Sequence, residues 1–278
     1  MLIKKKFKFL LTLFCCNIIV FLLTFNAQAT TWTIQKDVSL YGNLNQNDIP
    51  DIGSMACGPT AAVNSFVYLE NQYSDIYGHN LIRDWNQDGV YQDTEDLIST
   101  AQILAALMQT NNDVGTYADY FIYGKWAYIE TYAPGTTTYQ AQNFWEWSVP
   151  EDQPDWVDQT TPTWNFLYNQ LVACEDVEIL INGDFNHYLT LTSLLWDDET
   201  NRGTIDYIDP WTGSWSISNL KLGDDGFLYT DYGSGSDITY SSYISMAVKE
   251  SPVPEPDTIV LMGIGLIGLV RLLRNKSA

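Results

Sequence analysis

Residues 186–209 read NHYLTLTSLLWDDETNRGTIDYID, and this stretch predicts two paired strands. Apolar and polar residues alternate on either side of a polar segment at 197–202, which is the pattern of half-buried strands joined by a tight connection. Because strands joined in this way run antiparallel, we expect His187, at the start of the first, and Asp209, at the end of the second, to lie at the same end of the sheet.

Outward from this pair, the chain separates into an early helical part and a later part rich in strands. A first strand is predicted over 32–40, and helices over 57–72, 94–108 and 161–174. Further strands are predicted over 177–181, 188–196, 204–208, 214–217 and 243–248. Residues 111–159 are aromatic and irregular and allow no assignment. Helices first and strands later indicate an α+β fold.

A cysteine opens the first of these helices, in the motif CGPT at residues 57–60. The positive end of a helix favours a thiolate, and an imidazole can hold the proton that the thiol releases. Gly58 is expected to leave room for a substrate backbone. Cys57, His187 and Asp209 together predict a nucleophile, its general base and the group that orients the base.

Three motifs, CGPT at 57–60, NHY at 186–188 and DPW at 209–211, resemble the active-site motifs of papain-like cysteine peptidases, in particular the bacteriocin-leader-peptidase-like branch. The cysteine and the histidine lie 130 positions apart, within the roughly 130–150 typical of papain-like enzymes. The resemblance implies a papain-like α+β fold, with an N-terminal helical part bearing the catalytic Cys and a C-terminal antiparallel sheet bearing His and Asp. The implied residues are the nucleophile Cys57, the base His187 and the orienting group Asp209. Asn186 replaces the Gly common in that branch.

The resemblance also implies two donors for an oxyanion. One is the backbone N–H of Cys57, and the other is the side chain of an upstream Gln. Gln46 is the only Gln between Lys36 and Cys57, and it lies 11 residues before the nucleophile. Asn45 and Asn47 compete with it for this role.

A second motif, at residues 84–95, matches the EF-hand loop at every defined position. Its expected oxygen ligands are Asp84, Asn86, Asp88, the backbone carbonyl of Val90, and Glu95. Gly89 supplies the sharp turn, and a helix follows. The preceding residues, 73–80, are a poor entering helix, so the motif predicts an isolated loop whose structural Ca²⁺ does no chemistry. The alternative is a solvated acidic loop.

Residues 1–29 have the pattern of a signal peptide, with a basic start, an apolar stretch and Ala27-Gln28-Ala29 as the cleavage site. This predicts export through the Sec machinery, and a retained signal anchor is the alternative. The central domain is predicted over 30–250.

Within residues 251–278, Pro254-Glu255-Pro256 leads into an apolar run at 258–270 and then a basic end. This segment resembles the PEP-CTERM tail of bacterial surface proteins. The resemblance implies processing by an exosortase transpeptidase, transient anchoring in the inner membrane, and delivery to the cell surface or extracellular matrix. The alternative is a plain C-terminal anchor, although the run is shorter than the about 20 residues of a normal span.

The central domain is strongly acidic. Seven of the 13 basic residues but only two of the 34 acidic residues lie in the two ends, which leaves the domain a net charge of −26. Such a surface repels nucleic acid and attracts cations. Nucleic acid is therefore not an expected partner.

Cysteine content agrees with a catalytic thiol. Cys15 and Cys16 leave with the signal peptide, and Cys57 and Cys174 remain. A disulfide between these two is the structural alternative.

The sequence therefore predicts an exported cysteine peptidase that hydrolyses peptide or protein substrates through a thioester. Acyl transfer or amide hydrolysis with the same residues stays open. So does a non-catalytic, calcium-stabilised matrix or adhesion protein.

Overall fold

The computed structural model describes residues 30–183, 186–234 and 241–253. The predicted signal peptide, and the sorting tail from residue 254 onward, lie outside the described residues. Within the described ranges, no helix is both long enough and apolar enough to cross a membrane.

The described residues form nine strands and five α-helices. The strands are β1 Thr31–Gln35, β2 Thr137–Asn143, β3 Val157–Asp158, β4 Asp176–Asn182, β5 His187–Asp197, β6 Arg202–Asp209, β7 Ser214–Leu222, β8 Leu228–Thr230 and β9 Ser242–Pro252. The helices are α1 Cys57–Gln72, α2 Ser74–Tyr77, α3 Thr94–Leu107, α4 Ala118–Tyr132 and α5 Trp164–Val172.

Six strands, β4 to β9, close into an antiparallel barrel. Strands β5 to β9 pair in chain order, and β4 pairs with both β5 and β9, which completes the ring. Outside the ring, β1 pairs with the second half of β5, and β2 pairs with β9. The two-residue strand β3 adds to β2 in parallel.

The predicted papain-like α+β fold is therefore wrong. The sheet is a closed barrel, and β1, β2 and β3, which precede or interrupt the helices, join the same sheet, so a helical part does not precede a separate sheet. Local alternation identifies a strand but not its distant partner. The pairing that closes the ring joins Asp176 to Glu250, 74 positions later.

Alternation along β4 divides its side chains between two cores. Val177, Ile179 and Ile181 belong to a core inside the barrel, which also includes Leu171 of α5. Leu180 belongs to a second core between the barrel wall and the helices. The barrel is thus covered by helices on the side of this second core.

Helix α1 is the centre of the second core, and its residues Cys57 to Glu70 are all buried. It combines apolar and small residues with a few buried polar ones that are hydrogen-bonded, such as Asn64. Small residues let it approach β5 closely, and the hydroxyl of Thr190 donates to the backbone carbonyl of Ala61 at 2.8 Å. This packing fixes the start of α1 against the start of β5.

The element bounds agree with several expectations and correct others. The helix predicted over 57–72 has those bounds, whereas the first strand ends at Gln35 and a short 3-10 helix covers Val38–Leu40. The unassigned stretch 111–159 contains α4, β2 and β3. Its aromatic residues pack in pairs rather than on one regular face, which hides the helical period.

Candidate active site

A cleft of about 1720 Å³ opens where α1 meets the barrel. Its lining comes from the start of α1, the segment 113–119, the segment 144–148, and the strand ends around His187 and Asp209. All four residues predicted for catalysis (Cys57, His187, Asp209 and Gln46) line this cleft.

The imidazole of His187 and the carboxylate of Asp209 are hydrogen-bonded. His187 is the first residue of β5 and Asp209 is the last of β6, and the antiparallel register pairs Thr190 with Ile208 between them. The Nε2 atom of His187 lies 2.8 Å from Oδ1 of Asp209, and both side chains are buried. This is the juxtaposition that the two-strand pattern predicts.

The thiol of Cys57 lies close enough to the same imidazole for each group to shift the pKa of the other. Because Nε2 faces Asp209, Nδ1 is the ring nitrogen left for the sulfur. One imidazole therefore connects a buried thiol at a helix start to a carboxylate at a strand end.

The pKa values of these groups are displaced in a consistent direction. Burial would raise the pKa of the Cys57 thiol, but the hydrogen bond and charge of His187, with backbone N–H groups of Tyr188 and Gly58, bring it below its ordinary value. Burial would lower the pKa of His187, yet its bonds to Asp209 and Cys57 raise it to about 9. Against burial, the hydrogen bond from His187 also holds the pKa of Asp209 below its ordinary value. The combination favours thiolate and imidazolium.

Tyr232, which the sequence analysis missed, supports this arrangement. Its ring is stacked on the His187 imidazole, with centroids 5.4 Å apart and planes at 13°. Its hydroxyl donates to Oδ2 of Asp209 at 3.2 Å, while the Trp211 N–H donates to Oδ1 at 2.8 Å. Tyr232 follows the short strand β8, and no local motif marks it.

Gln46 is the one buried residue of a 3-10 helix, Gln46–Asp48, and it lines the same cleft as Cys57. Its backbone N–H donates to the Pro210 carbonyl at 2.8 Å, which ties this segment to the Asp209 turn. The side chain is only 1% exposed, and its Oε1 has no hydrogen-bond partner among the described residues. The competitor Asn45 instead accepts from the backbone N–H and side-chain amide of Asn47.

The start of α1 provides unpaired backbone donors. The first turn closes with the Thr60 N–H donating to the Ala56 carbonyl, and Ala56 supplies no side-chain cap. The N–H of Cys57 donates to none of the residues that the structure describes. Gly58 does not leave room for substrate, because a Cβ there would lie 3.0 Å from Oγ1 of Thr116, in the cleft wall.

The predicted calcium loop forms a compact turn before α3. The Asp84 carboxylate accepts from the N–H groups of Asp88 and Gly89, each at 3.0 Å, and Gly89 has a φ of +84°. The amide nitrogen of Asn86 lies 3.3 Å from a carboxylate oxygen of Asp88 and 3.2 Å from one of Glu95. The predicted side-chain ligands thus face one another, around an amide donor.

The oxygen atoms that this loop offers are of the kinds that bind calcium. Carboxylates and an Asn side chain at alternating positions, followed by a Glu, are the oxygen donors that Ca²⁺ takes. Val90 donates its backbone N–H to Asp88 at 2.7 Å, and its expected ligand is the carbonyl. The four-residue helix α2 agrees with the expectation of a poor entering helix.

A second group of carboxylates is buried between the barrel and α4. Asp176, Glu178 and Glu250 have oxygen atoms within 4.8 Å of one another. The ammonium of Lys125 lies among them, 3.0 Å from Asp176 and 2.6 Å from Glu178, and in direct contact with Glu250. A lysine therefore fills the space that a metal would need.

Both cysteines of the described residues are free thiols. Cys57 is buried in the cleft wall, and Cys174 is exposed after α5. The structure therefore gives no disulfide between them.

Comparison with known protein families gives a match at the C-terminus. Residues 252–275 match the PEP-CTERM protein-sorting motif, which confirms the sorting tail predicted from the sequence. No curated protein matches the chain. The match implies export, a C-terminal membrane-anchoring sorting signal, and processing by an exosortase.

Proposed function

We propose that the central domain is a cysteine peptidase. The observation that supports this most is the single buried imidazole that is hydrogen-bonded to Asp209 and lies with the Cys57 thiol at the wall of a large cleft. A thiol, a base and an orienting carboxylate in mutual contact are the parts needed for nucleophilic acyl chemistry. The proposal rests on this geometry and not on the shape of the fold.

In the first half-reaction, the Cys57 thiolate attacks the carbonyl carbon of a peptide bond. The carbonyl oxygen becomes an oxyanion, and the free N–H of Cys57 and the side-chain amide of Gln46 are its proposed donors. His187 then transfers its proton to the leaving nitrogen, the C–N bond breaks, and a thioester and a free amine result. Throughout this step, Asp209 keeps the imidazole oriented.

In the second half-reaction, water replaces the amine. His187 removes a proton from the water, whose oxygen attacks the thioester carbonyl. When the C–S bond breaks, the acid product leaves and Cys57 regains its thiolate beside a protonated His187. An amine in place of water would give acyl transfer, and a non-peptide amide would give amide hydrolysis, with the same movements of protons.

The place of action follows from the two ends of the chain. We propose that the Sec machinery exports the protein and that the tail holds it in the inner membrane until exosortase acts. It then reaches the cell surface or extracellular matrix, where its substrates are peptides or proteins. Its acidic surface makes nucleic acid an unsuitable partner.

Mass spectrometry of a mixed peptide library incubated with the purified protein under reducing conditions tests the activity. We expect new peptide termini with the native protein and none with Cys57→Ala. Cys174→Ala is the matched control, because it removes the exposed thiol and leaves the cleft intact. No cleavage by the native protein, or cleavage that persists in Cys57→Ala, would refute the peptidase proposal.

We also propose that the loop at 84–95 binds a structural Ca²⁺. Ligands from Asp84, Asn86, Asp88, Val90 and Glu95 would hold it, and its charge would offset the repulsion among their carboxylates. Asp96, just inside α3, is fully buried and accepts from the Trp85 N–H at 2.7 Å, which joins the loop to the core.

Thermal unfolding with calcium and with chelator tests this site. Calcium at about 100 times its Kd should add about 2.7 kcal/mol of stability, which corresponds to a Tm increase of roughly 5–10 °C for a domain of this size. Glu95→Gln should reduce that increase, whereas Glu199→Gln, an exposed carboxylate in another turn, should not. If the Tm of the native protein is the same with calcium and with chelator, the calcium site is refuted.

A further inference from the structure

The lining of the cleft has a one-sided charge. It includes five carboxylates, those of Asp113, Asp119, Glu146, Asp209 and Asp231. Among the described residues that line it, none is a lysine or arginine, and His187 is the only one that can carry positive charge. A cleft with low-dielectric walls and one sign of charge concentrates ligands of the opposite sign.

Three of the five carboxylates already have structural partners. Asp119 accepts from the N–H of Ser148 at 3.1 Å, and Asp231 accepts from the N–H of Asn219 at 2.7 Å. Asp209 holds His187. These three carboxylates already accept hydrogen bonds within the protein, so they are less available to a ligand.

Asp113 is different, because its carboxylate makes no hydrogen bond or ion pair with any described residue. It lies in a small loop that is held by backbone bonds in both directions between Asn111 and Gly115, at 3.1 and 3.0 Å. Oδ1 of Asn111 accepts from the N–H groups of Asp113 and Val114, each at 3.0 Å. A firmly held loop therefore presents a free, exposed carboxylate to the cleft.

Glu146 is free in the same sense, and it follows two exposed aromatic residues. Asn143 fixes this segment, since its side chain bonds both the N–H and the carbonyl of Trp145. The indole N–H of Trp145 donates to Asn182 at 3.3 Å. The rings of Phe144 and Trp145 are thus held beside a free carboxylate at the cleft.

Aromatic rings complete the lining. Tyr117 and Trp211 line the cleft and are more than half exposed, at 56% and 52%. Ring faces of Trp and Tyr attract cations, and they also bury the aliphatic stems of Lys and Arg. Exposed rings and free carboxylates in one cleft therefore match a single kind of ligand.

We propose, on the basis of the peptidase function above, that the cleft binds polypeptide segments with Lys or Arg beside the scissile bond. Asp113 and Glu146 would pair with the cationic heads, and the rings of Tyr117, Trp145 and Trp211 would cover the side-chain stems. The volume of about 1720 Å³ exceeds the roughly 300–1,000 Å³ of small-molecule pockets, which favours a chain segment as occupant. Acidic peptides would be repelled.

A binding measurement tests this preference without requiring turnover. Full-length Cys57→Ala protein is titrated with fluorescent peptides of equal length that carry Arg and Lys, Gln, or Glu at the same positions. We expect the basic peptide to bind at least about tenfold more tightly than the Gln peptide, because it forms two exposed charge pairs that the Gln peptide lacks. The preference should shrink with added salt.

Variants assign the preference to the two free carboxylates. Asp113→Asn and Glu146→Gln should each weaken binding of the basic peptide by about fivefold and leave the Gln peptide unaffected. Asp75→Asn, an exposed carboxylate on α2, is the matched control and should change neither. Equal affinity for the three peptides, or no effect of either cleft variant, would overturn the inference.

Cleavage of the same three peptides separates this inference from the proposed function. If all three bind and are cut equally, the peptidase stands and the preference for basic segments fails. If the basic peptide binds selectively but the active protein cuts nothing, the recognition stands and the peptidase fails.

Discussion

Replacing Asp209 with Asn isolates the contribution of one charge to the thiol. An Asn can still accept from the ring of His187 and from the Trp211 N–H, which Oδ1 of Asp209 accepts in the native protein. These two hydrogen bonds are therefore retained, whereas the Tyr232 hydroxyl, which donates to Oδ2 of Asp209 at 3.2 Å, would face the Asn amide nitrogen. What the substitution removes is the negative charge 2.8 Å from the imidazole.

The structure sets the size of the effect. The pKa of His187 rises from an ordinary 6.5 to about 9, and at about 1.4 kcal/mol per pKa unit its neighbours stabilise the imidazolium by about 3 kcal/mol, net of burial. The bond to Asp209 is the largest of the contributions that raise it. Loss of an adjacent opposite charge changes a pKa by about 1–3, so the pKa of His187 should fall by that order, the pKa of Cys57 should rise, and less of Cys57 should be thiolate at mildly acidic pH.

The alkylation rate of Cys57 measures this thiolate directly. Iodoacetamide is applied between about pH 4 and pH 9 in a Cys174→Ser background, which removes the exposed thiol, and modified peptide is quantified by mass spectrometry. Asp209→Asn should move the midpoint of the rate upward in pH, whereas Asp75→Asn should not. An unchanged midpoint in Asp209→Asn would refute the electrostatic coupling of these three residues.

Three further outcomes follow from the same structure. Peptidase activity should have a bell-shaped dependence on pH. On the acid side it rises as Cys57, whose pKa is lowered, becomes a thiolate, and on the alkaline side it falls as His187, whose pKa is about 9, loses its proton. A rate that keeps rising beyond pH 9 would contradict this. Tyr232→Phe should retain the ring stacking and reduce kcat by less than about tenfold. Tyr232→Ala, which also loses the stack, should reduce kcat further and lower the pH at which activity falls on the alkaline side. Activity of both variants equal to that of the native protein would show that Tyr232 has no role in the site. Lys125→Met should lower the free energy of unfolding by about 3–5 kcal/mol in chemical denaturation, because it leaves buried carboxylates unpaired. The control Lys221→Met, at an exposed lysine, should be nearly neutral. Equal losses of stability in the two variants would argue against the buried cluster.

The sequence supports local predictions better than global ones. Alternation in β5 and β6, with a tight turn between them, is sufficient to bring His187 and Asp209 to one sheet end, because a hairpin has only one direction of pairing. The helix from Cys57 has apolar residues at helical spacing and the predicted bounds. These elements determine most of the candidate site.

The fold class depends on contacts that no local pattern encodes. Barrel closure needs β4 to pair with β9 as well as with β5, and the two strands are separated by most of the C-terminal half. Tyr232 was missed for the same reason, since it reaches Asp209 from 23 positions away through a loop. The helix α4 was missed because its aromatic residues are distributed around its whole surface.

Barrel closure by the last strand also affects the order of folding during export. Strand β9 ends at Pro252, and the sorting motif begins at residue 252, so no linker separates them. In a chain that crosses the membrane N-terminus first, β4 and β8 cannot pair with β9, their shared partner, until nearly the whole domain is outside. The ring can then close only as the sorting signal reaches the membrane. With export in that direction, anchoring and completion of the fold would be nearly simultaneous, and Glu250, the partner of buried Lys125, would arrive in that final step.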